Sequence, residues 1–253
     1  MRYYEHGGDI YAGERKLLDF SVNINPLGMP QQAALAANRS VQQDITYPDP
    51  FCRRLTEALS KRYGVPAENT VCGNGASDLI LRLCAAVRPE RVLVPAPGFS
   101  EYGRSSALFG AEVLEYSVSG LCSAPPLLDI LCGAGEGDFG IVFVCRPNNP
   151  DGSIMGMEDL IKAAQECERT GALLAVDECF LEFTRATSAL AVMSRYRSIV
   201  VLNAFTKTYA MAGLRLGFMF SADTALADEV YRFASPWSVS APAQAAGTVC
   251  CGL

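Results

Sequence analysis

The sequence predicts a three-layer α/β/α domain built on a mostly parallel sheet. Short apolar runs alternate with longer helix-like stretches, the runs at 141–144 and 172–176 are apolar at every position, and polar residues cluster just after the runs. A strand covered on one face alternates apolar and polar residues. A continuously apolar strand is covered on both faces, as in a parallel sheet flanked by helices.

Taken in order, the strand candidates are 91–95, 141–145, 173–177, 199–203 and 216–220. The helix candidates between them are 51–63, closed by Gly64; 77–87, stopped before Pro89; 157–170, closed by Gly171; and 223–233. Glycine closes a helix because it accepts the left-handed backbone of the terminal turn, and the residue before a proline is pushed out of the helical region. Turn clusters such as Asn25-Pro26-Leu27-Gly28 and Pro95-Ala96-Pro97-Gly98 separate the elements, with no internal repeat or low-complexity linker.

A chain of 253 residues, half of them hydrophobic and 19% charged, can bury a core of enzyme dimensions. Its net charge of −6, with no run of Lys or Arg, offers no electrostatic footprint for nucleic acid or an anionic membrane. No apolar run approaches the roughly 18 residues of a membrane helix. The start, Met1 to His6, lacks the apolar core of a signal peptide, so a cytoplasmic location is expected. The ten cysteines fall mostly within apolar segments and read as buried thiols. There is no C-x-x-C pair and His6 is the only histidine, so no metal site is expected.

Open α/β sheets bind ligands at the carboxyl ends of their strands. The run at 141–145 is followed by Arg146-Pro147-Asn148-Asn149-Pro150, that at 173–176 by Asp177-Glu178, and that at 199–203 by Thr206-Lys207. A lysine between an apolar strand and a cation such as Arg215 is a candidate for a free amine able to capture a carbonyl. Gly73-Asn74-Gly75-Ala76-Ser77, opening an apolar helix, has the backbone of an anion site, and Arg215 supplies a cation for it. Read from the residues alone, Asp177 is also compatible with a turn carboxylate and Tyr102 with a core tyrosine.

Pro147-Asn148-Asn149-Pro150-Asp151-Gly152, Asp177-Glu178, Thr206-Lys207 and Gly213-Leu214-Arg215-Leu216-Gly217, in that order and spacing, resemble fold type I pyridoxal-phosphate enzymes. The resemblance implies pyridoxal 5'-phosphate as cofactor. Lys207 is then its covalent anchor, Asp177 the partner of its protonated ring nitrogen and Asn149 a donor to its phenolic oxygen. Tyr102 is expected to stack on the ring, and Gly75, Ala76, Ser77, Thr206 and Arg215 to hold the phosphate. Two departures stand out. Ala204 occupies a position where many relatives carry a hydroxyl that meets the phosphate, and Phe180 stands where many aminotransferases have a tyrosine.

The segment His6-Gly7-Gly8-Asp9 with Ser21-Val22-Asn23-Ile24-Asn25-Pro26-Leu27-Gly28 resembles the threonine-phosphate decarboxylase branch, with histidinol-phosphate aminotransferases as close siblings. The resemblance implies a phosphorylated amino-acid substrate, a homodimer, and substrate contacts from His6 and Asn23. It divides the chain into an N-terminal substrate-contacting segment, 1–30, and a large cofactor-binding domain, 31–253. These families continue into a smaller C-terminal domain, which is expected to be missing here. Three readings stay open: a decarboxylase, an aminotransferase, or an inactive cofactor-binding fragment.

Overall fold

The computed structural model describes residues 7–8, 18–43, 46–118 and 125–253. The chain runs α1 (Gln31–Gln43), α2 (Arg53–Tyr63), β1 (Thr70–Gly73), α3 (Ala76–Val87), β2 (Arg91–Ala96), α4 (Glu101–Ala107), β3 (Glu112–Ser117), α5 (Leu127–Gly133) and β4 (Ile141–Cys145). It continues through α6 (Met157–Thr170), β5 (Leu173–Asp177), α7 (Leu190–Met193), β6 (Ile199–Ala204), α8 (Phe205–Thr208), β7 (Gly217–Ser221), α9 (Thr224–Arg232) and α10 (Ala241–Cys250). Gly64 and Gly171 close α2 and α6 with left-handed backbones, φ 70° and 76°, as the sequence predicts. Asp223 and Ser240 cap α9 and α10 by accepting from Ala225 N–H and Ala243 N–H, satisfying donors that have no partner inside the helix.

The seven strands form one sheet in the order β1-β7-β6-β5-β4-β2-β3. Pairs β6–β5, β5–β4, β4–β2 and β2–β3 are parallel, whereas β7 is antiparallel to both of its neighbours. All five expected strands are present, so the mostly parallel sheet is correct; the orientation of β7 is a refinement. Two strands escape the sequence pattern. β1 is only four residues long, and β3 lies at the sheet edge with Glu112 and Glu115 exposed, which blurs its alternation.

Side chains along each strand point alternately to the two faces. In β4, Ile141, Phe143 and Cys145 join Leu79, Ile80 and Leu83 of α3 and Val230 of α9 in one core. Val142 and Val144 join Leu55 and Leu59 of α2, Leu160 and Ala163 of α6 and Ala243 of α10 in the other. Two cores on opposite faces make the three layers. Among the described residues no helix is long and apolar enough to cross a membrane.

The registers bring several chain segments to one end of the sheet. Cys145 pairs with Asp177, Asp177 with Leu202, and both Ala204 and Gly73 with Gly217. Because β7 runs opposite to β6 and β1, its beginning lies beside their carboxyl ends. Arg215, two residues before β7, arrives at the same rim as Lys207.

Candidate active site

Lys207 sits in the single turn of α8, directly after β6. The turn is pinned on two sides: Phe205 N–H donates to Leu216 O at 3.1 Å, and Asn25 N–H donates to Lys207 O at 3.1 Å. The Lys207 amine is half-buried, 5.9 Å from the centroid of the Phe180 ring. Burial, which disfavours an ammonium ion, lowers its pKa from the usual lysine range, and the Arg215 charge adds to the shift against an opposing effect of Cys179. The amine is thus biased toward the neutral form that attacks carbonyl carbon.

Asp177 ends β5 and is 4% exposed. A carboxylate taken out of water needs donors, and Tyr102 and Cys179 supply them. Tyr102 O–H donates to Oδ2 at 2.7 Å, and Cys179 N–H donates to Oδ1 at 2.9 Å. This geometry corrects one expectation. Tyr102 has no exposed surface, its ring stacks on Phe143 at 4.9 Å, and its hydroxyl is spent on Asp177, so no face is left for a cofactor ring. Phe99, edge-on to Tyr102 at 5.6 Å, is the partly exposed aromatic of the same loop, and the sequence reading passed over it.

The turn Gly73-Asn74-Gly75 leads into α3, whose first N–H groups have no partner inside the helix. Gly75 adopts φ +84°, and a Cβ placed there would stand 2.5 Å from Arg215 Nη2. A Cβ on Gly217 would stand 2.5 Å from the Gly75 carbonyl carbon and 2.6 Å from Ala76 N. Arg215 itself has φ +62°, a left-handed conformation that costs an L-residue about 1–2 kcal/mol. Two glycines and one strained arginine thus bring a guanidinium against a helix N-terminus, an anion site by charge and by geometry. Ser77 is half-buried in the first turn of α3, and Thr206 is buried beside Lys207.

A cavity of about 450 Å³ opens between the N-terminal segment and the β4 and β5 ends, lined by Val22, Asn23, Asn149, Phe180, Phe183 and Thr184. Asn149 is half-buried on its wall and Asn23 is exposed at its lip. The expected contact His6 lies outside the described residues. The two loops that carry Asn149 and Phe180 are joined by a pair the sequence did not announce. Arg146 Nη1 meets Glu178 Oε1 at 3.3 Å with both side chains almost fully buried. Arg146 also donates to Met155 O and Thr187 O, while Glu178 accepts from Ser188 and Ala189 N–H. Burial raises the Glu178 carboxyl above its ordinary value despite these partners.

This donor set fits pyridoxal phosphate: a half-buried amine, a carboxylate fixed by two donors, and an anion cradle that added Cβ atoms would fill. Comparison with known proteins agrees. The aminotransferase class I and II family model matches residues 15–249. Threonine-phosphate decarboxylase of Salmonella typhimurium is 35% identical over 252 residues, covering 96% of this chain and 69% of its own length. Histidinol-phosphate aminotransferase of Symbiobacterium thermophilum is 36% identical, covering 93% and 64%. The solved histidinol-phosphate aminotransferase of Clostridium acetobutylicum superposes with a TM-score of 0.83 at 26% identity, over 93% of this chain and 69% of that one. The chain spans about two thirds of the length of these relatives. With the lysine, aspartate, asparagine and arginine motifs assembled at one sheet end and a match across nearly the whole sequence, the chain belongs to the aminotransferase class I and II family.

Proposed function

We propose that this protein acts on a phosphorylated amino acid, as an L-threonine O-3-phosphate decarboxylase that yields (R)-1-aminopropan-2-yl phosphate for cobalamin biosynthesis. The 35% identity with the Salmonella typhimurium threonine-phosphate decarboxylase carries the reading. The cofactor is pyridoxal 5'-phosphate. When bound, it supplies an electron-poor ring that accepts the electron pair left on a substrate carbon.

Within this reading, Lys207 holds the cofactor covalently and Asp177 faces its ring nitrogen. Asn149 donates to the phenolic oxygen. Gly75, Ala76, Ser77, Thr206 and Arg215 bind the phosphate. Residues 1–30 form the substrate-contacting segment, in which His6 meets the substrate phosphate and Asn23 its carboxylate region. Residues 31–253 form the cofactor-binding domain. The bond from Cα to the carboxylate would break, CO₂ would leave, and the Lys207 amine, released when the substrate amine takes its place on the cofactor, would return a proton to Cα. Phe180 gives the wall beside Lys207 an apolar face. The protein is cytoplasmic and works as a homodimer.

The test is to load the protein with pyridoxal phosphate and supply threonine phosphate. Release of CO₂ in step with aminopropanol phosphate is expected. Amino transfer from histidinol phosphate to a 2-oxo acid, without CO₂, would establish the aminotransferase reading that the Symbiobacterium relative favours. Absence of a visible absorption band on adding cofactor, or its persistence in Lys207→Ala, would defeat both.

A further inference from the structure

We infer that Tyr102 is the positioning residue of Asp177: its buried phenol donates to Oδ2 and holds the carboxylate in one orientation, as acceptor for the cofactor ring nitrogen. The inference rests on the proposed role of Asp177 and adds a residue to it. The hydrogen bond is 2.7 Å long and wholly buried. Cys179 N–H, at 2.9 Å, holds the other oxygen. Each carboxylate oxygen can accept more than one hydrogen bond, so these two donors orient the group without saturating it.

Several observations make Tyr102 a fixed donor rather than a passing neighbour. Its ring is stacked on Phe143 at 4.9 Å with 15° between planes, and Phe99 meets it edge-on at 5.6 Å. Phe143 is one strand position from Val144 and two from Cys145, so the phenol is anchored to β4, the strand next to the one that Asp177 ends. Its own N–H donates to Phe99 O, and Ser106 Oγ donates to its carbonyl. Burial first, and the Asp177 charge second, push the phenol well above its ordinary pKa, so it keeps the proton that it donates. A buried carboxylate that loses a donor is harder to keep charged.

The experiment is a double-substitution cycle on the cofactor-loaded protein with Tyr102→Phe, Asp177→Asn and the pair together. Three quantities are read: pyridoxal phosphate affinity, the pH midpoint of the visible band, and the melting temperature of the cofactor-free chain. Hydrogen bonds to charged groups imply about tenfold weaker cofactor binding in Tyr102→Phe. The pH midpoint rises by about one unit, because a ring nitrogen with a weaker anionic partner carries less positive charge and the lysine-linked nitrogen keeps its proton longer. In the Asp177→Asn background, Tyr102→Phe changes neither quantity. Equal effects in both backgrounds, or a change confined to melting temperature, would overturn the assignment by making Tyr102 a packing residue only. Should Tyr102→Phe not fold, 3,5-difluorotyrosine at position 102 keeps the ring and strengthens the donor. The midpoint then falls, and an unchanged midpoint overturns the assignment. A wild-type chain that forms no band at all defeats the cofactor reading itself, and this assignment with it, an outcome distinct from the others.

Discussion

Asn25 joins the N-terminal segment to the lysine turn. Its N–H donates to Lys207 O at 3.1 Å, and its side-chain amide donates to Thr208 O at 2.8 Å. The lip of the cavity, Val22 to Ile24, therefore hangs from the same turn that presents the amine. Asn25→Ala removes the second bond and leaves a part-buried carbonyl unpaired, a loss of about 1 kcal/mol. KM for threonine phosphate is expected to rise about fivefold with kcat little changed, and limited proteolysis near residues 18–30 to accelerate, while the visible band stays intact.

Gly217→Ala should be more damaging to cofactor binding than Arg215→Ala. The added Cβ meets backbone atoms of Gly75 and Ala76 that belong to a helix start, so nothing flexible can yield. Arg215→Ala removes one charged donor, expected to weaken pyridoxal phosphate binding about tenfold or more. Gly217→Ala both shifts the cradle and strains β7, so loss of measurable binding together with a lower melting temperature is expected. Absorbance titration and thermal melts of the two variants check the order.

Arg146→Met leaves Glu178 buried without its cation, a change expected to cost about 3–5 kcal/mol at neutral pH. The Glu178 carboxyl is already raised above its ordinary value by burial, and losing Arg146 raises it further. The folded chain then holds a proton that the unfolded chain releases near the usual carboxylate range. Stability of the variant is therefore greatest below that range and falls as pH rises through the folded value. Urea unfolding at about pH 5 and pH 8 is expected to show a smaller deficit relative to wild type at the lower pH.

Lys207 should be the first lysine to react with aldehydes. Its lowered pKa means that its free amine is present at lower pH than that of an ordinary lysine. Reductive labelling of the cofactor-free chain near neutral pH, followed by peptide mapping, is expected to mark Lys207 ahead of Lys162. Equal labelling would contradict the prediction.

Much of this site was legible in the sequence because its chemistry lies at strand ends, where polar residues follow apolar runs. Lys207, Asp177, Asn149 and Arg215 each follow or precede such a run. What stayed hidden depends on pairing across the fold. Tyr102 could be read as an aromatic near the site, but only the register of β4 and β5 shows that its hydroxyl ends on Asp177 and its ring on Phe143. Arg146 and Glu178 stood in the sequence only as polar residues following apolar runs, whereas the loops fold them into a buried pair. Asn25 read as a turn residue, and its partner is far away along the chain. The strands β1 and β3 were missed because four residues are too few to show a period and an exposed edge dilutes one.

The placement of β7 bears on how the protein is made. A ribosome-bound chain that has emerged only through β6 carries β1 without its partner, because among the described residues β1 pairs only with β7. Such long-range pairing forms late, and an unpaired edge invites association with other chains while it waits. Arrival of β7 fills the gap and at the same moment sets Arg215 against the Gly75 turn. Nascent chains thus gain the ability to capture cofactor in the step that pairs β1 into the sheet, so ligand in the medium during synthesis would select the chains that have completed that pairing.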